Sequence, residues 1–294
     1  MSKAIYKQYD QASLDREYNN RAKVANFEEY LELYASESAK TRETFKCGLD
    51  VPFGDSADEL LDIFFPHNEL NDSSPLLPIH VFFHGGYWKA LSKNEFSFVA
   101  NAFAPKNAIT IVVNYALIPE ITMSALIDQC RKSLVWVWSN ADSFHGDKNR
   151  INISGHSAGG HIVAMLMATH WRVHDNSLPA DLIKSGCGIS GLYNLEPIRL
   201  CFLNDDLNLS EQDVVRNSPV RQNPDSMGNL VLPLGALEGD EFLSQSNALV
   251  EAWRTDNSQP SVVLMPEQDH FSIVWQLNSP NSDLSTMIHR QLKI

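Results

Sequence analysis

"RINISGHSAGGHIVAML", residues 150–166, passes from an apolar stretch through a knot of small residues into an apolar run with helical spacing. Ser157 sits where the chain must turn most sharply, enclosed by Gly155, Ala158, Gly159 and Gly160. A serine held on a tight strand-to-helix turn needs small neighbours, because Cβ atoms there would keep strand and helix apart. Such a turn stores on the order of 1–3 kcal/mol of strain. It lifts the hydroxyl clear of the backbone at a helix N-terminus, where developing negative charge is favoured. G-x-S-x-G in this setting reads as a nucleophile turn, although the pentapeptide alone also suits a glycine-rich connection without chemistry.

The surroundings supply the setting. "LLDIFF" (60–65), "IHVFF" (79–83), "ITIVV" (109–113), "INIS" (151–154), "SGCGIS" (185–190), "LVLPLG" (230–235) and "SVVLM" (261–265) read as strands. Several are unbroken apolar runs, the pattern of strands covered by helices on both faces. Residues 121–139, 158–171, 241–254 and 271–278 read as the intervening helices. This alternation predicts an α/β fold with a mostly parallel central sheet, as one domain over residues 1–294. Residues 1–43 are expected to form a helical N-terminal extension, with Phe27, Tyr30, Leu31 and Tyr34 on one helical face. Residues 191–228 read as a cap insertion.

Ligands on such sheets bind beyond the carboxyl ends of the strands, so the residues that follow each strand matter most. After residues 79–83 comes His84-Gly85-Gly86-Tyr87-Trp88. The N–H groups of Gly85 and Gly86, with that of Ala158, are expected to form an oxyanion hole. Tyr87 and Trp88 are expected to line the substrate pocket, and His84 to brace the loop. A serine nucleophile needs a base, and the base needs a carboxylate to fix its tautomer. Of ten histidines, His270 lies just beyond the last strand, whereas His156 and His161 lie in the turn and its helix, and His289 in the C-terminal tail. In "LGALEGDEF", Asp240 is the expected acid and Glu238 a close alternative; Asp269 adjoins the histidine too directly to orient it. Ser157, Asp240 and His270 follow in the chain order of the strand–elbow–helix scaffold.

These motifs resemble the α/β-hydrolase superfamily over nearly all of the chain after about residue 45. Within it, "HGGYW" (84–88) is similar to the signature of the serine-type arylformamidases, also called kynurenine formamidases. "NYALIP" (114–119), "GHSAGGH" (155–161), "GDEF" (239–242) and, more loosely, "LDREYNNRA" (14–22) look like the same group. The resemblance implies nucleophile Ser157, acid Asp240, base His270, and oxyanion donors from Gly85, Gly86 and Ala158. Tyr87 stands where the related esterases carry a third consecutive glycine, which draws the expected activity from general esterase towards formamidase. The expected substrate is a small aromatic formamide such as N-formylkynurenine, or an ester. The amino-acid end of N-formylkynurenine needs polar partners, and two stretches offer them: Arg199, Arg216 and Arg221, or Asn19, Asn20 and Arg21. The competing expectations are a carboxylesterase for short acyl esters and a binding protein of the same fold without turnover.

Composition narrows the rest. Net charge is −13 with no Lys/Arg-rich block, which argues against nucleic-acid or anionic-membrane partners. There is no apolar leader and no run long enough to span a bilayer. Cys47, Cys130, Cys187 and Cys201 lie far apart without CxxC spacing, consistent with a reducing, cytoplasmic setting. No HExxH or HxxxHxD spacing occurs, so no metal or cofactor is expected. A homodimer is expected from the resemblance alone.

Overall fold

The computed structural model describes residues 3–68, 71, 73–224, 228–255 and 259–294. Its centre is an eight-stranded sheet in the order β1-β2-β4-β3-β5-β6-β7-β8. The strands are β1 Cys47–Pro52, β2 Leu60–Phe64, β3 Leu77–Phe83, β4 Ile109–Val113, β5 Gly146–His156, β6 Ser185–Ile189, β7 Asn229–Gly235 and β8 Ser261–Met265. β1–β2 and β2–β4 pair antiparallel; β4–β3 and every pair onward to β8 are parallel. β3 and β4 are buried throughout, in keeping with runs that are apolar except for His80 and Thr110. Their alternate side chains enter different cores: Val81, Phe83, Ile111 and Val113 pack on one face, Phe82 and Val112 on the other.

The strand absent from the sequence reading is β1. It reads "CGLDVP", is half-exposed at the sheet edge, and has neither an apolar run nor strong alternation to mark it. The expected helices appear as Met123–Asn140, Ala158–Met167 with Trp171–His174, Asp240–Trp253, and a short Ser272–Trp275 followed by a 3-10 turn. The C-terminal tail is also helical, Asp283–Leu292, and His289 Nε2 lies 2.9 Å from the Ala102 carbonyl.

Before the sheet, helices Gln11–Tyr18, Asn20–Lys23 and Phe27–Thr44 fold back over the carboxyl ends of the strands. Asp10 caps the first by accepting from Ser13 N–H, and Asn19 caps the second by accepting from Ala22 N–H. Side chains fasten them down: Tyr18 Oη donates to Glu241, Lys23 Nζ to the Glu238 carbonyl, and Tyr34 Oη to the Phe271 carbonyl. Between β6 and β7 lie helices Glu196–Leu200, Asn204–Leu207 and Glu211–Asn217.

Candidate active site

Ser157 follows β5 at φ 57°, ψ −114°, a left-handed conformation that is strained for any residue with a side chain. Its N–H donates to the Ile189 carbonyl at 2.8 Å, which ties the turn to β6. A Cβ at Gly155 would strike the Gly159 backbone, and one at Gly159 would strike the Phe83 carbonyl, so both positions must be bare. The helix Ala158–Met167 is buried along its whole length and has no side-chain N-cap, which leaves its first N–H groups without a capping acceptor. Ser157 is 3% exposed and lines a cavity of about 180 Å³. A cavity of ~150 Å³ accommodates benzene, so there is room for a single-ring ligand.

Gly85, Gly86, Tyr87, His156 and His270 line the same cavity. The loop after β3 coils tightly, with positive φ at Gly86 (112°), Tyr87 (49°) and Trp88 (59°). A Cβ at Gly86 would strike the Ala90 carbonyl. His84 stacks flat on Tyr115, 4.1 Å between centroids, while Tyr115 Oη donates to the His84 carbonyl. His84 Nδ1 lies 2.8 Å from the Gly85 carbonyl and bonds across its own loop. Trp88 departs from expectation. It is fully buried in the main core, its indole N–H donates to His161 Nδ1, and it does not line the cavity. Tyr87 and Trp88 are neighbours on a coiled loop, so their side chains diverge: one faces the cavity and the other the helix behind Ser157.

The expected acid is also corrected. His270 Nδ1 bonds Glu238 Oε2 at 2.6 Å, and Asp240 is exposed at the first turn of the helix Asp240–Trp253, lining a different surface cleft. Glu238 N–H bonds back to the Gly235 carbonyl, and Gly239 has φ +105°. That turn folds residue 238 in over the end of β7 and sends residue 240 outward. Glu238 is 2% exposed, and its other oxygen accepts from Gly235 N–H at 2.7 Å and from Ser190 Oγ. A carboxylate with three donors is held in one orientation. With Nδ1–H given to it, neutral His270 keeps its lone pair on Nε2. The His270 carbonyl accepts from His156 Nε2–H at 2.8 Å, so the residue preceding Ser157 anchors the histidine loop.

The remaining cavity wall comes from a region whose role the sequence left open. Tyr18, Asn19, Asn20 and Arg21 line it, whereas Arg199, Arg216 and Arg221 do not. Arg199 is instead paired with Glu196 and Glu211. Arg21 lies over the Phe27 ring and has no carboxylate partner among the described residues. Lys89 also lines the cavity and pairs with Asp206 outside it. Among the described residues no Asp or Glu lines the cavity, so in a chain of net charge −13 its described fixed charges are both cationic.

A family model described as BD-FAE matches residues 61–198. Kynurenine formamidase from Danio rerio is 32% identical over 262 residues, covering 87% of this chain and 86% of that protein. The chain belongs to the kynurenine formamidase family. Kynurenine formamidase from Salmo salar is 30% identical over 250 residues, covering 83% of this chain and 81% of its own. The crystal structure of a presumed thioesterase from Silicibacter sp. tm1040 superposes with a TM-score of 0.81 at 26% identity, over 94% of this chain and 98% of that one. The sheet order and these likenesses are those of the α/β-hydrolase fold, and the protein is a serine hydrolase. Within this kynurenine formamidase-family chain, no group of three or more His, Cys, Asp or Glu suited to a metal ion occurs among the described residues. No described helix is long and apolar enough to cross a membrane.

The buried histidines of this family member set its acid stability. Burial lowers His80 to about 3 and both His84 and His161 to about 4. Burial, with the nearby His270, holds His156 well below 6.5. All four fold neutral but take up protons in the unfolded chain near pH 6.5. Their contribution is therefore complete above about 6.5 and is lost as pH falls towards 4. His80, His84 and His161 each cost up to roughly 1.4 kcal/mol per pH unit in that window, and His156 acts in the same direction. Urea unfolding at pH 7, 6 and 5 is expected to show a steep fall in stability. His80→Asn, which removes one of the four, should flatten the slope; a flat profile in the unsubstituted protein would refute the account.

Proposed function

We infer that the protein hydrolyses an aryl formamide, N-formylkynurenine being the type case, to arylamine and formate. The reading is carried by the buried Glu238–His270 pair, which opens on the same cavity as the strained Ser157. Ser157 Oγ attacks the formyl carbon as His270 Nε2 takes its proton. The carbonyl oxygen gains the negative charge and is held by N–H groups of the Gly85–Gly86 segment and Ala158. Each such donor is typically worth about 10²–10³ in turnover. Collapse breaks the C–N bond as His270 returns the proton to the departing nitrogen. Water, deprotonated by His270, then attacks the formyl-serine, releasing formate and restoring the hydroxyl. Glu238 holds the imidazole in the Nδ1–H tautomer and stabilises its cation throughout.

Formamide is favoured over larger acyl groups by what stands beside the glycines. Tyr87, where a glycine would leave space, partly closes the acyl side, which a group bearing only hydrogen tolerates. Aromatic walls from Tyr18, Tyr34, Phe96 and Phe271 suit an anilide ring. Arg21 and Lys89, with no lining carboxylate, suit a substrate that carries one. Phe202 and Leu203 also line the cavity, which supports reading the stretch that carries them as a cap. The discriminating measurement is kcat/KM on N-formylkynurenine against p-nitrophenyl acetate. A ratio favouring the formamide is expected, and one strongly favouring the ester would replace this reading with a short-chain carboxylesterase.

A further inference from the structure

Asn20 is 4% exposed and lines the cavity. Its orientation follows from its neighbours. Tyr87 Oη donates its only proton to the Tyr18 carbonyl at 2.7 Å, so it can offer Asn20 nothing but a lone pair. Asn20 therefore turns its Nδ2 to Tyr87 Oη, at 3.1 Å. Oδ1 is then fixed on the opposite side of the amide, buried and without a hydrogen-bond partner among the described residues. Buried acceptors are rarely left this way, and one carried by a cavity-lining side chain that a committed neighbour holds in place is set to meet a donor. A carbonyl oxygen welcomes N–H and repels an ester oxygen in the same place, since both would present lone pairs.

The geometry points to Asn20 as a specificity-determining residue whose Oδ1 accepts a hydrogen bond from an N–H of the substrate, so that the site prefers nitrogen-bearing ligands to their oxygen analogues. The inference rests on the formamide reading of this cavity and adds the residue that enforces it. Tyr87 acts through Asn20: besides closing the acyl side, it stops the amide from flipping and presenting NH₂. Two substrate groups supply the chemistry, the scissile anilide N–H and the ammonium of an amino-acid end.

The test compares kcat/KM for Asn20→Ala and the unsubstituted protein on N-formylkynurenine, formanilide and phenyl formate. A fall of about 10- to 100-fold on N-formylkynurenine is expected, the usual range for a lost buried hydrogen bond, with phenyl formate changed less than about threefold. Unchanged ester turnover also shows that the variant is folded. An equal fall on formanilide assigns the bond to the scissile N–H; an unaffected formanilide assigns it to the amino-acid end. Tyr87→Phe, which frees the amide to flip, is expected to narrow the formamide-to-ester ratio in the same direction. Equal losses on all three substrates, or no loss on any, would overturn the inference.

If the unsubstituted protein hydrolyses phenyl formate but neither formamide, it is the proposed function that fails. Calorimetric binding of kynurenine to Ser157→Ala, with and without Asn20→Ala, then decides the inference separately. Binding weakened about tenfold or more by Asn20→Ala upholds it, and absent or unchanged binding overturns it.

Discussion

Ser157→Ala is expected to lower kcat on N-formylkynurenine and on p-nitrophenyl acetate alike by about 10⁴-fold or more, while the protein remains folded. The loss is large because, in the proposed mechanism, the substitution removes the atom that attacks. Residue 157 stands alone at the turn, with bare glycines at 155 and 159. The loss should stop short of the uncatalysed rate, since the cavity, the loop glycines and the helix N-terminus remain to bind and polarise a carbonyl. Folding should survive because alanine meets the same φ of 57° with the same Cβ, so the backbone strain is unchanged and only one hydroxyl is lost. Three measurements check this: turnover on both substrates, the melting temperature, and fluorophosphonate labelling located by peptide mapping. Labelling of the unsubstituted protein at Ser157, absent in the variant, is the expected pattern. Retained turnover, or a label on another residue, would place the nucleophile elsewhere.

The reason so much of this architecture can be read from the chain lies in sheet geometry. Strands covered on both faces favour apolar side chains, so inner strands such as β3 and β4 appear as short, largely apolar runs, "IHVFF" and "ITIVV". β1 lacks that constraint, because an edge strand half-exposed to solvent can be built from Gly48 and Asp50. The elbow was equally legible, since backbone contacts around Gly155 and Gly159 exclude every side chain. Elsewhere the deciding contacts come from far along the chain. Trp88 reads as a loop aromatic until His161, on the helix beyond the elbow, supplies its indole partner. Tyr87 keeps the left-handed conformation suited to a glycine, and Tyr18 and Asn20 provide the bonds that hold it there. No local pattern at 14–22 announces that role. Those residues are polar and helical, and only the packing of the first helices over the strand ends makes them a cavity wall.

The same limit governs the acid, and a pair of substitutions separates the two carboxylates. Glu238→Gln is expected to lower kcat by about 10⁴-fold, the scale seen when the orienting carboxylate of such a triad becomes an amide. Asp240→Asn should change it by less than about threefold. The asymmetry follows from one turn. Gly239, at φ +105°, lets residue 238 fold inward and residue 240 begin a helix facing solvent. Glu238 accepts from His270, Gly235 and Ser190 at once, all as donors. A glutamine there must turn its NH₂ either onto those donors or onto His270 Nδ1. The first leaves the Gly235 N–H facing an amide NH₂ and forces the Ser190 hydroxyl to turn round, and the second favours the tautomer that protonates Nε2, which can no longer act as a base. Asp240 has no such partners to lose among the described residues; its negative charge at the first turn of a helix is worth a few tenths of a kcal/mol to about 1 kcal/mol of stability. Burial makes Glu238→Gln the riskier protein to fold, so each kcat is read with a melting curve and with fluorophosphonate labelling of Ser157. A folded Glu238→Gln protein that labels slowly and turns over poorly fits the assignment. The reverse ranking, with Asp240→Asn the damaging change, would mean that the helix start moves to meet His270 during catalysis and that Glu238 serves only to anchor the loop.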